Sequence, residues 1–131
     1  MVDVKLEEVR RILEAEVVSG NYEGSVEAQA GCGADLLSDV LAFTHTGTLL
    51  LTGLVNPQVL VTAEVAGIVA VVFVRGKRPP AETVRQAEER NVPLLSTHYT
   101  MFEACGRLYA AGMVGCDRRS PPHRHVTSAW I

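Results

Sequence analysis

The run Ile68-Val-Ala-Val-Val-Phe-Val74 constrains the fold more than any other stretch. It is apolar throughout and mostly β-branched. A strand without polar alternation has both faces covered, as an inner strand of a parallel sheet does. The residues before it fit that reading. Leu49-Leu50-Leu51 is a second short apolar run, stopped by Thr52-Gly53. Between the two runs lies a helix that starts at Asn56-Pro57 and passes through Val59, Leu60, Thr62, Ala63 and Val65. Asn caps the first free amides, and Pro at the first helical position gives up an N–H that has no partner anyway. Gly67 supplies a left-handed C-cap. Two buried strands joined by one helix make a right-handed βαβ crossover. Residues 48–78 are therefore the centre of an α/β domain.

The flanking segments extend this pattern. Asp3 is placed to cap a first helix, with Val4, Leu6, Val9, Ile12 and Leu13 on one face. Glu16-Val17-Val18 reads as a short strand ended by Ser19-Gly20-Asn21. Residues 21–34 read as loop, with Val26 and Ala28 in a second short strand and Gly31-Cys32-Gly33 as a turn. Asp35 is placed to cap a helix over 36–44, with Leu37, Val40 and Leu41 inward. Pro79-Pro80 opens a helix that is charged outside and apolar at Val84 and Ala87, with Asn91 as its C-cap. Val92-Pro-Leu-Leu is a third short buried strand. Thr100 and Glu103 form a capping box at the start of a last helix, which runs through Leu108 and Ala111 to Gly112. The expected whole is a three-layer α/β/α domain over residues 1–114, with a small, mainly parallel sheet built from βαβ units. Residues 115–131 are expected to form a mobile tail.

Composition narrows the function classes. At 131 residues the chain is one domain with room for a core. A formal net charge of -3 offers no domain-wide positive field for nucleic acid. The longest uncharged apolar run, Val65 to Val74, is too short to cross a bilayer. The start, Met-Val-Asp-Val-Lys-Leu-Glu-Glu, reads as an acidic amphipathic helix rather than a signal peptide. Three widely spaced cysteines, Cys32, Cys105 and Cys116, are no disulfide framework. A reduced, cytoplasmic setting is the expectation, without nucleic-acid or membrane partners.

Ligands of such sheets bind beyond the carboxyl ends of the strands. Those ends here are Thr52-Gly53, Arg75-Gly76-Lys77 and Ser96-Thr97-His98. Glycine permits close approach, Arg75 and Lys77 bring positive charge, and helix N-termini aim amides outward. The expected ligand site comprises Thr52, Gly53, Asn56, Gln58, Arg75, Gly76, Lys77, Ser96 and Thr97, and suits a phosphate or carboxylate. Asp35, Ser38 and Asp39 share a helix N-terminus and are candidates for a dimer or ligand contact, although capping explains them without function. No phosphate motif is complete, because Gly76-Lys77 is followed by Arg78 rather than Ser or Thr. Cys116 with His123 and His125 fits no zinc spacing, so neither a metal nor another cofactor is expected. Cys32, in a glycine turn, is a candidate exposed thiol, and Cys105 a small core residue. His45 and His98 have no evident Asp or Ser partner, and no catalytic residue is assigned.

From Asp35 to Gly112 the chain resembles the DRTGG-domain family. The resemblance is carried by the order and spacing of Ala34-Asp-Leu-Leu-Ser-Asp-Val-Leu-Ala42, Leu51-Thr-Gly53, Gly76-Lys-Arg-Pro79, Val92-Pro-Leu-Leu-Ser-Thr97 and Glu103-Ala-Cys-Gly-Arg-Leu-Tyr109. Arg75-Gly76-Lys77 stands where the family shows Thr-Gly-Gly, and Thr52-Gly53-Leu54 where it shows Gly-Asp-Arg. The resemblance implies a fold similar to the N-terminal domain of HPr kinase/phosphorylase. It also implies a non-catalytic regulatory or ligand-sensing role, in a homodimer that binds a small anionic metabolite or nucleotide. The small stand-alone members that this chain looks most like occur near hydrogenase and redox genes. An accessory interaction module with a redox-enzyme partner is therefore the alternative.

Overall fold

The computed structural model describes residues 3–116. In chain order the elements are β1 (Val4–Lys5), α1 (Leu6–Ile12), β2 (Glu16–Val17), β3 (Glu27–Ala28), β4 (Ala30–Gly33), α2 (Leu37–Phe43), β5 (Thr48–Thr52), α3 (Gln58–Ala66), β6 (Ile68–Phe73), α4 (Ala81–Glu89), β7 (Leu94–Ser96) and α5 (Met101–Ala110). The main sheet has the order β2-β7-β6-β5-β4. Strands β4 to β7 are parallel, and β2 runs antiparallel at the β7 edge. A two-stranded antiparallel ribbon, β1 with β3, is a separate sheet whose Val4 and Ala28 join the same core.

The layers follow from the alternation of side chains along the strands. Leu49, Leu51, Ala70, Val72, Val74 and Leu95 face α1 and α5, where Leu6, Val9, Leu13, Ala104 and Leu108 complete one core. Leu50, Val71, Phe73 and Leu94 face the opposite way, onto Val40 of α2, Val59, Leu60 and Ala63 of α3, and Ala87 of α4. Every residue of β5 is buried, as expected of a strand covered on both sides. The three-layer α/β/α architecture with a mainly parallel sheet is the one predicted. Gly67 closes α3 at φ 75°, in the predicted left-handed cap.

The local differences each have a physical cause. Gly31-Cys32-Gly33 is no turn. Together with Ala30 it is the edge strand β4, in register with Thr48 to Leu51. Its glycines leave room for sulfur. A Cβ at Gly31 would lie 2.8 Å from Met113 Sδ, and one at Gly33 would lie 2.8 Å from Cys105 Sγ. Asp3 does not cap α1, because Val4–Lys5 is taken up by pairing with β3. The first free amides of α1 are met by a loop instead: Leu6 N donates to Val26 O and Glu7 N to Gly24 O. At α5 half of the capping box forms. Glu103 N donates to Thr100 Oγ1, but the Glu103 carboxylate accepts from Arg107 Nε. On α2, Leu37 and Val40 pack inward, whereas Leu41 is exposed. The packed chain runs past residue 114: Gly115 bridges to Gly31, and Cys116 is buried. The rest of the expected tail, with His123 and His125, lies outside the described residues.

Candidate functional site

The ends of β5, β6 and β7 come together on one side of the sheet. Val74 N donates to Thr52 O, which carries β6 past the end of β5. Beyond Val74 the chain turns sharply. Arg75 and Gly76 both adopt left-handed backbone, at φ 60° and 68°. That is ordinary for glycine and strained for arginine. The turn is tied down on both sides, since Arg75 N donates to Tyr99 O and Gly76 N to Thr97 O, each at 2.8 Å. Lys77 N returns to Val74 O at 3.1 Å. Neighbouring backbone thus over-determines an unfavourable conformation, a pattern found at binding and switch sites.

This conformation sends the exposed Arg75 guanidinium across the end of β5. Its Nη2 lies 2.5 Å from the point where a Gly53 Cβ would be, so the approach needs glycine. Among the described residues Arg75 has no ion-pair partner. Asp35 reaches the same place from β4, its Oδ1 3.5 Å from that point. The Asp35 carboxylate accepts from Gly53 N at 2.7 Å and from Thr52 Oγ1 at 3.0 Å. Asp35 is therefore not the cap of α2, whose N-cap is Leu36 with no side-chain bond. The free amide at the end of β5 is the stronger claim on that carboxylate.

The other predicted site residues divide by what their polar groups already do. Thr52, Ser96 and Thr97 are buried. Thr52 Oγ1 accepts from Leu54 N, Ser96 Oγ donates to Lys77 O, and Thr97 Oγ1 donates to Leu13 O. These hydroxyls shape the loops that carry the exposed groups. Asn56 Oδ1 accepts from Gln58 N at 3.0 Å, although the N-cap of α3 is Pro57 rather than the expected Asn56. Asn56 and Gln58 are exposed and Lys77 is half-buried. His98 joins the group, with Nδ1 3.2 Å from a Cβ position on Gly76. The chemistry available is cationic and hydrogen-bonding: Arg75 and Lys77 with two amide side chains and an imidazole. Ser38 and Asp39 are exposed on the first turn of α2, and neither is hydrogen-bonded to Thr52 or Gly53 through its side chain. Among the described residues no group of three or more His, Cys, Asp or Glu is arranged to hold a metal.

Among the described residues, clefts also lie elsewhere, three of them notable. One of about 380 Å³ lies between β2 and α4, lined by Val17, Val18, Ser19, Arg78, Pro79 and Val84. One of about 660 Å³ opens at the amino ends of the strands beside Asn21, Ile68 and Pro93. The third, about 370 Å³ and mainly apolar, runs between β4 and α5 past Gly33, Cys105 and Tyr109. Cys32 is half-buried rather than exposed, and burial pushes its thiol up to about 12, with Cys116 and Cys105 adding to the shift. Cys105 is half-buried against the core, and burial raises its thiol as well.

The sequence matches the DRTGG domain over residues 8–111. The chain belongs to the DRTGG-domain family. Comparison with curated proteins gave no match. Among solved structures, this DRTGG domain is similar to the CBS and DRTGG domains of the regulatory region of Clostridium perfringens pyrophosphatase, crystallised with an activator, diadenosine tetraphosphate. The TM-score is 0.66 at 15% identity, over 80% of this chain. The match spans 46% of that structure, so this chain corresponds to less than half of the regulatory region. At that identity the likeness establishes the shared fold. No helix among the described residues is long and apolar enough to cross a membrane.

Proposed function

We propose that this DRTGG domain is a non-catalytic regulatory module that senses a small anionic metabolite or nucleotide at the carboxyl ends of β5, β6 and β7, and works as a homodimer. The observation that carries the reading is Arg75. A strained left-handed arginine is held by two backbone hydrogen bonds, and its guanidinium lies over Gly53 without an ion-pair partner among the described residues. Folding to this conformation costs about 1 kcal/mol or more relative to glycine, and nothing in the core returns it. A guanidinium presented beside Lys77, Asn56 and Gln58 matches phosphate or carboxylate oxygens. Adenine nucleotides come first as ligands to try, because the similar regulatory region takes diadenosine tetraphosphate as its activator. Regulation follows if the ligand binds one arrangement of the dimer better than another.

The test is a thermal-shift titration with adenine nucleotides and phosphorylated metabolites. Ligand at about a hundred times its dissociation constant stabilises by roughly 2.7 kcal/mol. The shift should be saturable and lost in Arg75→Ala. A flat response to every anion would overturn the site.

A second reading, an accessory interaction module of a redox or hydrogenase-type enzyme, draws on a different observation. Large apolar side chains are exposed on the two helices that flank the β4 edge: Leu36 just before α2 and Leu41 on it, and Phe102 (88% exposed) and Tyr109 (72%) on α5. Exposed apolar groups near a sheet edge suit a protein contact. In the first reading this face joins two copies of the domain; in the second it receives a different subunit. Sedimentation of the pure chain separates them. A dimer that dissociates on Phe102→Ser favours the first, and a monomer indifferent to that change favours the second.

A further inference from the structure

We infer that Cys32 and Cys116 form a dithiol that closes to an intramolecular disulfide across the β4 edge, a redox-dependent modification site separate from the strand-end site. After α5 the chain returns along β4. Gly31 N donates to Val114 O at 2.9 Å, and Gly31 and Gly115 are partners in a parallel bridge. Cys32 and Cys116 are the residues that follow the two bridged glycines, so they lie abreast. Paired residues of neighbouring strands point to the same face, opposite to that of the residues before them. Gly31 and Gly33 face Met113 and Cys105 on the α5 side. Cys32 is in register with Leu50, which faces the α2 side, and Cys116 shares that side.

Adjacent strands lie about 4.8 Å apart, inside the roughly 4.4–6.8 Å window of Cα separations that disulfides span. Both glycines of the bridge lack a Cβ, so the two strands can shift against each other without a side-chain clash between them. The thiols are free in this structure. Cys116 also contributes to holding the Cys32 thiol protonated. Cys105 stands apart. It is on α5, across the strand, with its sulfur against Gly33.

The oxidant is a small-molecule disulfide. One cysteine thiolate attacks a sulfur of the small disulfide; its S–S bond breaks, and the first small thiolate leaves. The second cysteine thiolate attacks the protein sulfur of this mixed disulfide, and the second small thiolate leaves. The Cys32–Cys116 bond forms, the small disulfide is reduced by two electrons, and the two cysteine protons end on the two departing thiols. The product pins the segment after α5 to the edge strand. It encloses residues 32–116, and with them every strand end of the candidate site.

The experiment exposes the full chain, reduced beforehand, to excess oxidised glutathione. Free thiols are then counted with and without denaturant, and the alkylated protein is mapped by proteolysis and mass spectrometry. The expected result is loss of two of three thiols, a peptide linking Cys32 to Cys116, and no increase in size on a non-reducing gel. Cys105→Ser should leave that outcome unchanged. Cys116→Ser should stop at one glutathione adduct or none. Three persistent thiols, stable adducts without the linked peptide, or links through Cys105 or between chains would overturn the proposal. The mapped wild-type chain decides the matter even if a variant fails to fold.

Discussion

Replacing Arg75 by glycine should raise stability while removing function, an unusual pairing for a single change. Arg75 holds φ at 60°, a conformation that costs a residue with a Cβ roughly 1–2 kcal/mol. Glycine removes that strain but gives back about 0.5–1 kcal/mol through the greater freedom of the unfolded chain. The guanidinium is exposed and without an ion-pair partner among the described residues, so its loss changes stability by less than about 0.5 kcal/mol. Arg75→Ala keeps the strain and loses the guanidinium. Arg75→Gly should therefore exceed Arg75→Ala by about 0.5–1 kcal/mol, roughly 2–4 °C in Tm for a chain of this size. Both variants should bind the anionic ligand about 10- to 150-fold more weakly, the loss of a charge-assisted contact worth roughly 1.5–3 kcal/mol. Urea unfolding gives the first quantity and calorimetric titration the second. If Arg75→Gly is less stable than Arg75→Ala, the arginine is structural and the strain argument fails. Undiminished affinity in both would remove Arg75 from the site.

Other changes probe the same geometry. Gly53→Ala places a methyl 2.5 Å from Arg75 Nη2. It should displace that flexible end and weaken ligand at least severalfold while Tm moves little, and unchanged affinity would show that the guanidinium acts from elsewhere. Asp35→Ala leaves the Gly53 amide and the Thr52 hydroxyl without their acceptor, and should cost about 1–3 kcal/mol in urea unfolding; Asp35→Asn, which keeps an oxygen, should cost less. Acid stability depends on Glu7, whose carboxyl is lowered to about 2, chiefly by Arg10 and then by the Tyr22 hydroxyl. A lowered folded pKa stabilises above the ordinary value of 4.5 and is lost as pH falls toward 2. Glu7→Gln should flatten the stability profile in that window and leave it unchanged at pH 7 to 8 apart from a constant offset; an unaltered acid limb would contradict the assignment. Leu50→Ala, at a site with no exposure, should cost about 2–5 kcal/mol by leaving a cavity between β5 and α3.

What the sequence made legible was the part of the fold written in side-chain pattern. The apolar runs at Leu49–Leu51 and Ile68–Val74, the Asn56-Pro57 start and the Gly67 stop identify β5, α3 and β6 because each carries its own local signal. Strand β4 carries none. Ala30-Gly-Cys-Gly33 has strand character through its pairing with β5 and through the sulfur atoms that fill the places its glycines leave, and those partners are distant in sequence. Asp35 reads as a helix cap from its neighbours, whereas the amide it satisfies is Gly53, 18 residues on. At the strand ends, chain position alone was enough to nominate Thr52, Arg75 and Thr97. It could not tell an inward hydroxyl from an outward guanidinium. Thr97 Oγ1 is committed to Leu13 O, 84 residues away, and the left-handed turn of Arg75 depends on Tyr99 and Thr97 carbonyls. Exposed Phe102 and Tyr109 pass unnoticed for the opposite reason, since helical spacing shows which residues share a face but not whether that face is covered.

Chemical-shift mapping of the isotope-labelled domain, titrated with an adenine nucleotide such as diadenosine tetraphosphate, addresses the ligand site most directly. Saturable shifts gathered on the amides of Thr52, Gly53, Arg75, Gly76 and Lys77, and absent in Arg75→Ala, are expected for a sensor that binds at the strand ends. Shifts confined to the β4–α5 cleft or to the amino ends of the strands, or no shifts with any anion tried, would contradict it.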